Sequence, residues 1–296
     1  MKILITGTAG RVGRAIYINL MKEHEVIGVD ITPCSTVDFV GDIRDENVLN
    51  KALSGVDVVI HCAALHAPHI GIKSVNEFEN INVKATQNLA LEAVKHGIEH
   101  FIFTSTTALY GFSSTPKGVA GWIDEKVIPQ PKTIYHKTKI KAEQILEKIS
   151  EDNGLPVTVL QMSRCFPEPA DLMAVYRLSR GIDARDVASA HACAVVKRLA
   201  GFQRFIISGN TPFNKGCCQN LLNNENNILR EYTPDLVENF DVRGWSLPKS
   251  LDRVYDSSLA QKELNWRPKY GYKSVFDMLD NESAEVLPVL KPKAEK

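Results

Sequence analysis

The sequence lacks the features that mark membrane proteins, secreted proteins and nucleic-acid-binding proteins. No run approaches the about 18 apolar residues of a membrane-spanning helix, and no signal peptide pattern opens the chain. Its 35 Lys and Arg residues balance 35 Asp and Glu residues, so no cationic excess favours phosphate backbones or anionic lipids. We therefore predict a cytoplasmic protein that binds neither nucleic acid nor membranes.

Cysteine is scarce, and its spacing suggests no metal or disulfide framework. Of the six cysteines only Cys217 and Cys218 are close together, which predicts reduced thiols. His66 and His69, in the segment LHAPHIG, are too few ligands for a zinc site. We predict that the protein binds no metal.

Short apolar runs alternate with amphipathic stretches over the first 105 residues, as in repeated βαβ units. With 296 residues, 44% of them apolar, the chain is long enough for a large core. The pattern predicts strands at 2–6, 25–30, 57–63, 100–105, 156–162 and 204–208, and helices at 11–22, 75–95, 138–150 and 186–198. These elements predict an α/β fold with a parallel sheet.

A glycine-rich turn joins the first strand to the first helix, with Gly7, Gly10 and Gly13 at GxxGxxG spacing. Such glycines let the backbone turn sharply and approach a pyrophosphate, while the helix N-terminus offers N–H groups to the anion. Asp30 ends the second strand, where a carboxylate would accept hydrogen bonds from the adenosine ribose. We therefore predict a Rossmann-type, doubly wound sheet that binds a dinucleotide.

Asp30 also bears on which dinucleotide binds. Its carboxylate would repel the extra phosphate of NADP, which favours NAD as the cofactor. Arg11 and Arg14 lie in the first helix, where they could reach that phosphate. Acceptance of NADP therefore stays open.

Tyr135 and Lys139 lie four residues apart, on one face if the segment YHKTK is helical. Tyrosine has an ordinary pKa of about 10, so a phenolate near neutral pH needs a nearby ammonium and the positive nicotinamide. Upstream, the predicted strand ending at Ser105 places the hydroxyls of Thr104 to Thr107 at the carboxyl edge of the sheet. These residues are candidates for alcohol–ketone redox chemistry.

Taken together, these motifs resemble the extended short-chain dehydrogenase/reductase family, in its group of NAD-dependent epimerases and dehydratases. The resemblance covers nearly the whole chain, and it is carried by TGTAGRVG (6–13), Asp30, Gly41-Asp42-Ile43, HCAAL (61–65), ENINVKATQNL (79–89), TSTTALYG (104–111), YHKTK (135–139) and GIDARDVASAH (181–191). It implies enzymatic activity on a sugar-type substrate and a homodimer formed through two packed helices.

The resemblance also implies roles for individual residues. Counting back from Tyr110-Gly111 puts the catalytic hydroxyl on Thr106, with Ser105 as the alternative, beside Tyr135 and Lys139. Asp42 and Ile43 would hold adenine, and Asn82 would support the active site. The full set of predicted cofactor contacts is Gly7, Gly10, Arg11, Val12, Gly13, Asp30, Asp42, Ile43, Ala63, Ala64, Asn82, Thr104, Tyr135 and Lys139.

The segment after the strand at 156–162 departs from the nucleotide-sugar epimerases. Those enzymes carry Arg-x-x-Asn-x-Tyr-Gly-Pro there, whereas residues 161–168 read QMSRCFPE and the following loop is short. The residues from Cys165 to Ser179 look instead like the uronate dehydrogenases, which use an arginine for the substrate carboxylate; the matching residue is Arg177. The predicted substrate contacts are His66, Ser105, Thr106, Arg164 and Arg177.

We predict five segments: a Rossmann domain at 1–165, a substrate loop at 166–182, a return to the Rossmann domain at 183–207, a substrate-binding region at 208–284 and a mobile tail at 285–296. Residues 211–250 match nothing in the uronate dehydrogenases. Three functions remain open: epimerisation or oxidation of a sugar-type alcohol, dehydrogenation of a free sugar acid or other small hydroxy compound, and non-catalytic NAD-binding regulation.

Overall fold

The computed structural model describes residues 1–289. Its strands are β1 (Lys2–Thr6), β2 (Glu25–Asp30), β3 (Phe39–Val40), β4 (Val58–His61), β5 (His100–Thr106), β6 (Gly121–Ile123), β7 (Val157–Met162), β8 (Phe202–Ile207) and β9 (Arg253–Tyr255). Its α-helices are α1 (Arg11–Leu20), α2 (Glu46–Ala52), α3 (Val75–Glu79), α4 (Thr86–Lys95), α5 (Ile134–Asn153), α6 (Ala170–Ser179), α7 (Ala184–Lys197), α8 (Cys218–Asn223), α9 (Glu225–Tyr232), α10 (Pro234–Arg243), α11 (Ser258–Glu263) and α12 (Tyr272–Asp280).

Seven strands form one parallel sheet in the order β3-β2-β1-β4-β5-β7-β8. The central strands are continuous apolar runs because helices cover both faces of the sheet. The chain winds outward from β1 to β3 and then crosses back to β4, so the order reverses between β1 and β4. Ligands of such sheets bind at this reversal. The predicted Rossmann-type fold is confirmed.

Two apolar layers hold the sheet. On one face, α1 and α7 pack against β1, β4 and each other, through residues such as Ile16 and Val187. On the other face, α2, α4 and α5 pack through residues such as Leu89 and Leu146. Among residues 1–289, no helix is long and apolar enough to cross a membrane.

A third apolar cluster lies beyond the sheet, formed by α6, α8, α9, α10 and α12. Two short strands, β6 and β9, pair in parallel and join this part of the molecule to the loop that follows β5. The substrate-binding region predicted at 208–284 therefore folds together with α6 and β6, which come from earlier in the chain.

The helix predicted at 75–95 is continuous but changes its winding, because residues Asn80–Ala85 form a π-helical segment between α3 and α4. Such insertions are frequent at functional sites. The helix predicted at 138–150 is longer at both ends. Thr133 caps it by accepting a hydrogen bond from the His136 N–H, so Tyr135 lies in the first turn of α5.

The tail predicted at 285–296 differs from the structure in its first part. Val286 is buried, Leu287 exchanges backbone hydrogen bonds with Glu168 and Ala170, and Glu285 forms an ion pair with Arg11. Residues Glu285 to Leu287 therefore pack on the rest of the molecule. Residues 290–296 lie outside the described residues.

Candidate active site

A cleft of about 580 Å³ opens at the carboxyl ends of β1, β2, β4, β5 and β7. Seventeen predicted site residues line it: Gly7, Gly10, Arg11, Val12, Gly13, Asp30, Asp42, Ile43, Ala63, Ala64, His66, Thr104, Ser105, Thr106, Tyr135, Lys139 and Arg164. Asn82 and Arg177 do not line it. The cleft therefore joins the predicted cofactor residues to the predicted catalytic residues.

The glycine turn forms one end of the cleft, and its geometry requires glycine at two positions. Gly7 has a φ of +78°, and a Cβ there would lie 2.8 Å from the Ala63 nitrogen. A Cβ on Gly13 would lie 2.1 Å from the Gly7 oxygen, so α1 packs directly on the turn. At Gly10, by contrast, the only protein atom within 4 Å of an added Cβ is the Gly7 oxygen, at 3.3 Å. The space beside Gly10 is open to the cleft.

This end of the cleft fits the pyrophosphate of a dinucleotide. The first N–H groups of α1 have no acceptor within the helix, and no side chain caps them. Within residues 1–289 the buried Arg11 Nε has no hydrogen-bond partner, although the guanidinium forms an ion pair with Glu285. Unsatisfied donors and the positive end of a helix together favour an anion.

Asp30 and Asp42 line the adenosine side of the cleft. Asp30 accepts hydrogen bonds from the Ala9 N–H at 3.0 Å and the Thr32 N–H at 2.9 Å, which fixes its carboxylate at the end of β2. Asp42 pairs with Arg44, and the guanidinium holds the pKa of that carboxyl below its usual range. Both carboxylates line the cleft and are placed to accept hydrogen bonds from ribose or adenine donors.

Three side chains meet at the carboxyl end of β5. Lys139 is 2% exposed and donates from Nζ to the Thr104 carbonyl at 2.7 Å, with its ammonium 3.7 Å from the centre of the Phe103 ring. The Tyr135 phenol lies beside the Thr106 side chain, and both residues line the cleft. The Thr106 oxygen also accepts from the Ala108 N–H at 3.1 Å. The predicted catalytic residues are therefore adjacent.

Burial acts against the charged form of both members of the pair. It raises the pKa of Tyr135 to about 12, although the nearby Thr106 side chain opposes the rise. It lowers the pKa of Lys139 to about 7, although the Glu143 carboxylate opposes the fall. The phenolate form of Tyr135, which is expected to need the positive nicotinamide as well as the ammonium, stays a prediction.

The sequence profile of the NAD dependent epimerase/dehydratase family matches residues 3–170. The chain belongs to the NAD dependent epimerase/dehydratase family. The proteins of this family use NAD, in agreement with the cofactor predicted from the glycine turn and Asp30. The matched residues contain the glycine turn, the end of β5 and the first turns of α5, but end where α6 begins.

Individual relatives of this epimerase/dehydratase family member differ in substrate. The uncharacterized UDP-glucose epimerase YtcB of Bacillus subtilis (strain 168) is 28% identical over 208 residues, which cover 60% of this chain and 61% of the relative. The L-arabinose 1-dehydrogenase (NAD(P)(+)) of Haloferax volcanii is 28% identical over 170 residues, which cover 54% of this chain and 66% of the relative. Each match spans less than two thirds of the relative's length.

Solved structures show the same fold over nearly the whole chain. A short-chain dehydrogenase/reductase superfamily protein from Agrobacterium tumefaciens, solved with bound NAD, has a TM-score of 0.73 at 17% identity, covering 95% of this chain and 96% of the other.

Asn82 acts in this family member from behind the cleft and not as a cofactor contact. It is buried in the π-helical segment, donates to the Leu65 carbonyl at 2.8 Å and to the Thr138 hydroxyl at 3.1 Å, and accepts from the Leu65 N–H at 2.7 Å. These bonds tie the loop after β4 to α5, one residue from Lys139. That Asn82 supports the active site stays a prediction, and a direct contact with the cofactor is not expected because Asn82 does not line the cleft.

Arg177, the predicted carboxylate ligand, is turned away from the cleft. Its side chain is 2% exposed and donates to Asp183 at 3.0 Å, while Asp183 also accepts from Arg185 at 2.8 Å. Arg177 lies on the side of α6 that faces the N-terminus of α7, where Asp183 is the N-cap residue. The prediction of a substrate contact by Arg177 is therefore corrected.

Ser105 faces the cleft with its backbone, but its hydroxyl donates to Glu143 at 2.5 Å. Adjacent residues of a strand point to opposite faces, so Thr106 and Ser105 cannot both offer a hydroxyl to the same atom. The alternative assignment of the catalytic hydroxyl to Ser105 is therefore not supported by the geometry.

The cleft wall also contains polar residues that were not predicted as site residues, among them Tyr176, Arg180, Arg253 and Tyr255. Arg180 lies 4.5 Å from the centre of the Tyr176 ring and 3.3 Å from Asp252. Arg253 also pairs with Asp252, at 2.6 Å. No motif marks β9 in the sequence, because three residues are too few for a periodic pattern.

His66 and Phe166 close the outer edge of the cleft. Their rings stack with centres 5.9 Å apart, although His66 follows β4 and Phe166 follows β7. Arg164 lies 5.5 Å from the centre of the Phe166 ring and pairs with Glu168. The two predicted substrate contacts, His66 and Arg164, thus lie together beyond the end of β5.

Proposed function

We propose that this protein is an oxidoreductase that uses NAD to oxidise, or to oxidise and re-reduce, a secondary alcohol of a sugar-type substrate, with Tyr135 as the base. The observation that supports this most is the meeting of Tyr135, Lys139 and Thr106 at the end of β5, in the cleft that begins at the glycine turn.

In this proposal each residue has a separate role. The Tyr135 phenolate takes the proton of the substrate hydroxyl as the C–H bond breaks, and the Thr106 hydroxyl donates to the same oxygen. Lys139, which donates to the Thr104 carbonyl, would in its ammonium form place a positive charge near the phenolate. Bound NAD would supply the hydride acceptor and further positive charge, which the raised pKa of Tyr135 requires.

The cofactor end of the cleft supplies the matching contacts. The open space at Gly10, the free N–H groups of α1 and the unpartnered Arg11 Nε would hold the pyrophosphate, and Asp30 the adenosine ribose. A carboxylate fixed by two backbone N–H groups cannot turn away from an extra phosphate. The geometry therefore favours NAD over NADP.

A dehydrogenase of a free sugar acid is a second candidate, supported by the arginines of the cleft wall. Arg180 and Arg253 share the single carboxylate of Asp252, which leaves net positive charge facing the cleft. Guanidinium groups bind carboxylates through paired hydrogen bonds. A carboxylate on the substrate would complete this arrangement.

A substrate panel tests the function. Free hexuronates, aldonic acids, neutral aldoses, and UDP- and dTDP-sugars are each incubated with the purified protein and NAD, and absorbance of the reduced cofactor is followed. Nucleotide sugars are also analysed for epimers, because epimerisation gives no net absorbance change. We expect turnover of at least one class that disappears in Tyr135→Phe. Absence of turnover across the panel would contradict the proposal.

The nucleotide content of the purified protein separates the two reaction types. An epimerase keeps NAD through each cycle, whereas a dehydrogenase exchanges it. We expect release of stoichiometric NAD on denaturation if the substrate is a nucleotide sugar, and an empty site if it is a free sugar acid.

The family resemblance implies a homodimer, which we include in the proposal. Helices α4 and α5 pack side by side on one face of the sheet, with Leu91 and Lys141 exposed on their outer sides. Sedimentation equilibrium is expected to give twice the mass of the chain.

A further inference from the structure

A buried carboxylate lies directly behind the catalytic pair. Glu143 follows Lys139 by one helical turn on α5 and is 4% exposed. It accepts hydrogen bonds from the Ser105 hydroxyl at 2.5 Å, the Gln161 amide at 3.0 Å and Arg204 Nε at 2.8 Å. These partners belong to β5, β7 and β8, so Glu143 joins three strands to the helix that carries Tyr135 and Lys139.

Glu143 contacts β5 at Ser105, between two residues that lie against the catalytic side chains. Thr104 accepts a hydrogen bond from Lys139 Nζ through its carbonyl, and Thr106 lines the cleft beside Tyr135. Ser105 lies between them and points to the opposite face, toward Glu143. The residue that Glu143 anchors is therefore the one whose two neighbours lie against the two catalytic side chains.

Glu143 is also the carboxylate that raises the pKa of Lys139. The groups around Lys139 are His61 at the end of β4, Cys62 just after it, Thr104 on β5 and Tyr135 on α5. His61 and Cys62 are neutral because burial lowers the pKa of the imidazole and raises that of the thiol. Glu143 favours the protonated form of Lys139, while Arg204 balances part of its charge from the far side.

We propose that Glu143 is a positioning residue for the reaction, acting through Ser105 on the end of β5 and through its charge on Lys139. This inference rests on the proposed function of Tyr135 and Lys139. A residue with a purely structural role would also be buried and hydrogen-bonded. The experiment must therefore distinguish an effect on the placement of the β5 end from an effect on overall stability.

Ser105→Ala is the main variant, because it removes one hydroxyl and leaves the volume nearly unchanged. Tyr110→Phe is its matched control: it removes the buried bond from the Tyr110 hydroxyl to Gln161 at 2.9 Å, in the same polar cluster but away from the end of β5. Both variants are compared with Glu143→Gln and with the double variant of Ser105 and Glu143.

We expect Ser105→Ala to lower kcat about tenfold with KM and the Kd for NAD within twofold, because the misplaced groups act on the transition state. Tyr110→Phe should keep kcat within twofold. The double variant should be no slower than Glu143→Gln, because both changes break one interaction. The proposal would be overturned if kcat fell equally in Ser105→Ala and Tyr110→Phe, or if kcat were unchanged in Ser105→Ala. A raised KM with unchanged kcat in Ser105→Ala would also overturn it, because Ser105 would then be a substrate contact.

A second measurement needs no turnover, so it separates failure of this inference from failure of the proposed function. The amine of Lys139 is titrated by NMR in protein labelled with ¹⁵N-lysine, using Lys139→Met to assign the signal. We expect Glu143→Gln to move the midpoint to lower pH, because a carboxylate that favours the ammonium is lost. An unchanged midpoint would refute the electrostatic part of the role even if no substrate had been found.

Discussion

The two ends of the cleft are built in different ways. The cofactor end is made largely of backbone from one continuous segment, in which glycines turn β1 into α1 and leave N–H groups free. The substrate end is made of side chains from four separate places: His66 after β4, Arg164 after β7, Arg180 after α6, and Arg253 on β9. Backbone geometry follows from local residue types, whereas the direction of a side chain depends on what packs around it.

Arg177 and Arg180 show this difference most clearly. They lie three residues apart at the end of α6, and both are arginines that the sequence alone cannot tell apart. Asp183 captures Arg177 in the interior, while Asp252, from a distant segment, draws Arg180 to the cleft wall. The partner carboxylate thus decides which of the two arginines lines the cleft.

The largest expected effect is on the stability of the fold and not on substrate binding. Arg177→Gln should lower the free energy of unfolding by about 3 kcal/mol, because Asp183 loses a buried partner at 3.0 Å and keeps only Arg185. KM should stay within twofold. Urea unfolding and steady-state kinetics check this. Lys73→Gln breaks an exposed pair of the same length, 3.0 Å, and should change stability little. A tenfold rise in KM for Arg177→Gln would return Arg177 to the substrate site.

The next effect concerns the cofactor end. Gly10→Ala should weaken NAD binding about thirtyfold, or about 2 kcal/mol, because the new methyl group enters the space beside α1 that a pyrophosphate would take. Only a small movement from the Gly7 oxygen, at 3.3 Å, is needed to keep the fold. Calorimetric titration measures the Kd. Gly271→Ala is the control, since nothing lies within 4 Å of its added Cβ. Equal affinities in both variants would show that NAD does not approach Gly10.

A smaller effect is expected at the substrate end. Arg180→Gln should raise KM about tenfold for an anionic substrate and leave the Kd for NAD unchanged, because one charge-assisted hydrogen bond contributes about 1.5 kcal/mol. The same variant should leave KM for a neutral aldose within twofold. If both substrates were affected alike, Arg180 would shape the cleft and not bind an anion.

The smallest effect is a change of cofactor preference. Asp30→Ala should bring the affinities for NAD and NADP to within about threefold of each other, because the carboxylate that repels the extra phosphate is gone. Some affinity for NAD is lost with the ribose contact. Calorimetry of both dinucleotides with both proteins measures the ratio. A wild-type protein that binds NAD and NADP equally would remove the argument from charge repulsion.

Much of the fold could be predicted because its signals are local. Apolar runs located β1, β2, β4, β5, β7 and β8 along the chain. The glycine spacing located the turn before α1, where an added Cβ on Gly7 or Gly13 would lie within 3 Å of backbone atoms. The pair Tyr135 and Lys139 follows from a four-residue spacing that a helix turns into one face. These inferences need no knowledge of distant contacts.

The remainder depends on contacts between segments far apart in the chain. The inward turn of Ser105 requires Glu143, the burial of Arg177 requires Asp183, and the ordering of Leu287 requires the loop at 166–169. β9 gains its place by pairing with β6, more than 100 residues earlier. Tertiary partners of this kind leave no periodic signal.

Tyr135→Phe tests the central claim most directly, because the ring keeps its packing and only the hydroxyl is removed. With a substrate from the panel, kcat and the Kd for NAD are measured for the wild type, for Tyr135→Phe and for Tyr110→Phe, a second buried tyrosine that does not line the cleft. We expect kcat to fall at least about 100-fold in Tyr135→Phe alone, with the Kd for NAD within threefold in all three proteins. A Tyr135→Phe protein that keeps a tenth or more of the wild-type kcat would contradict the assignment of Tyr135 as the base.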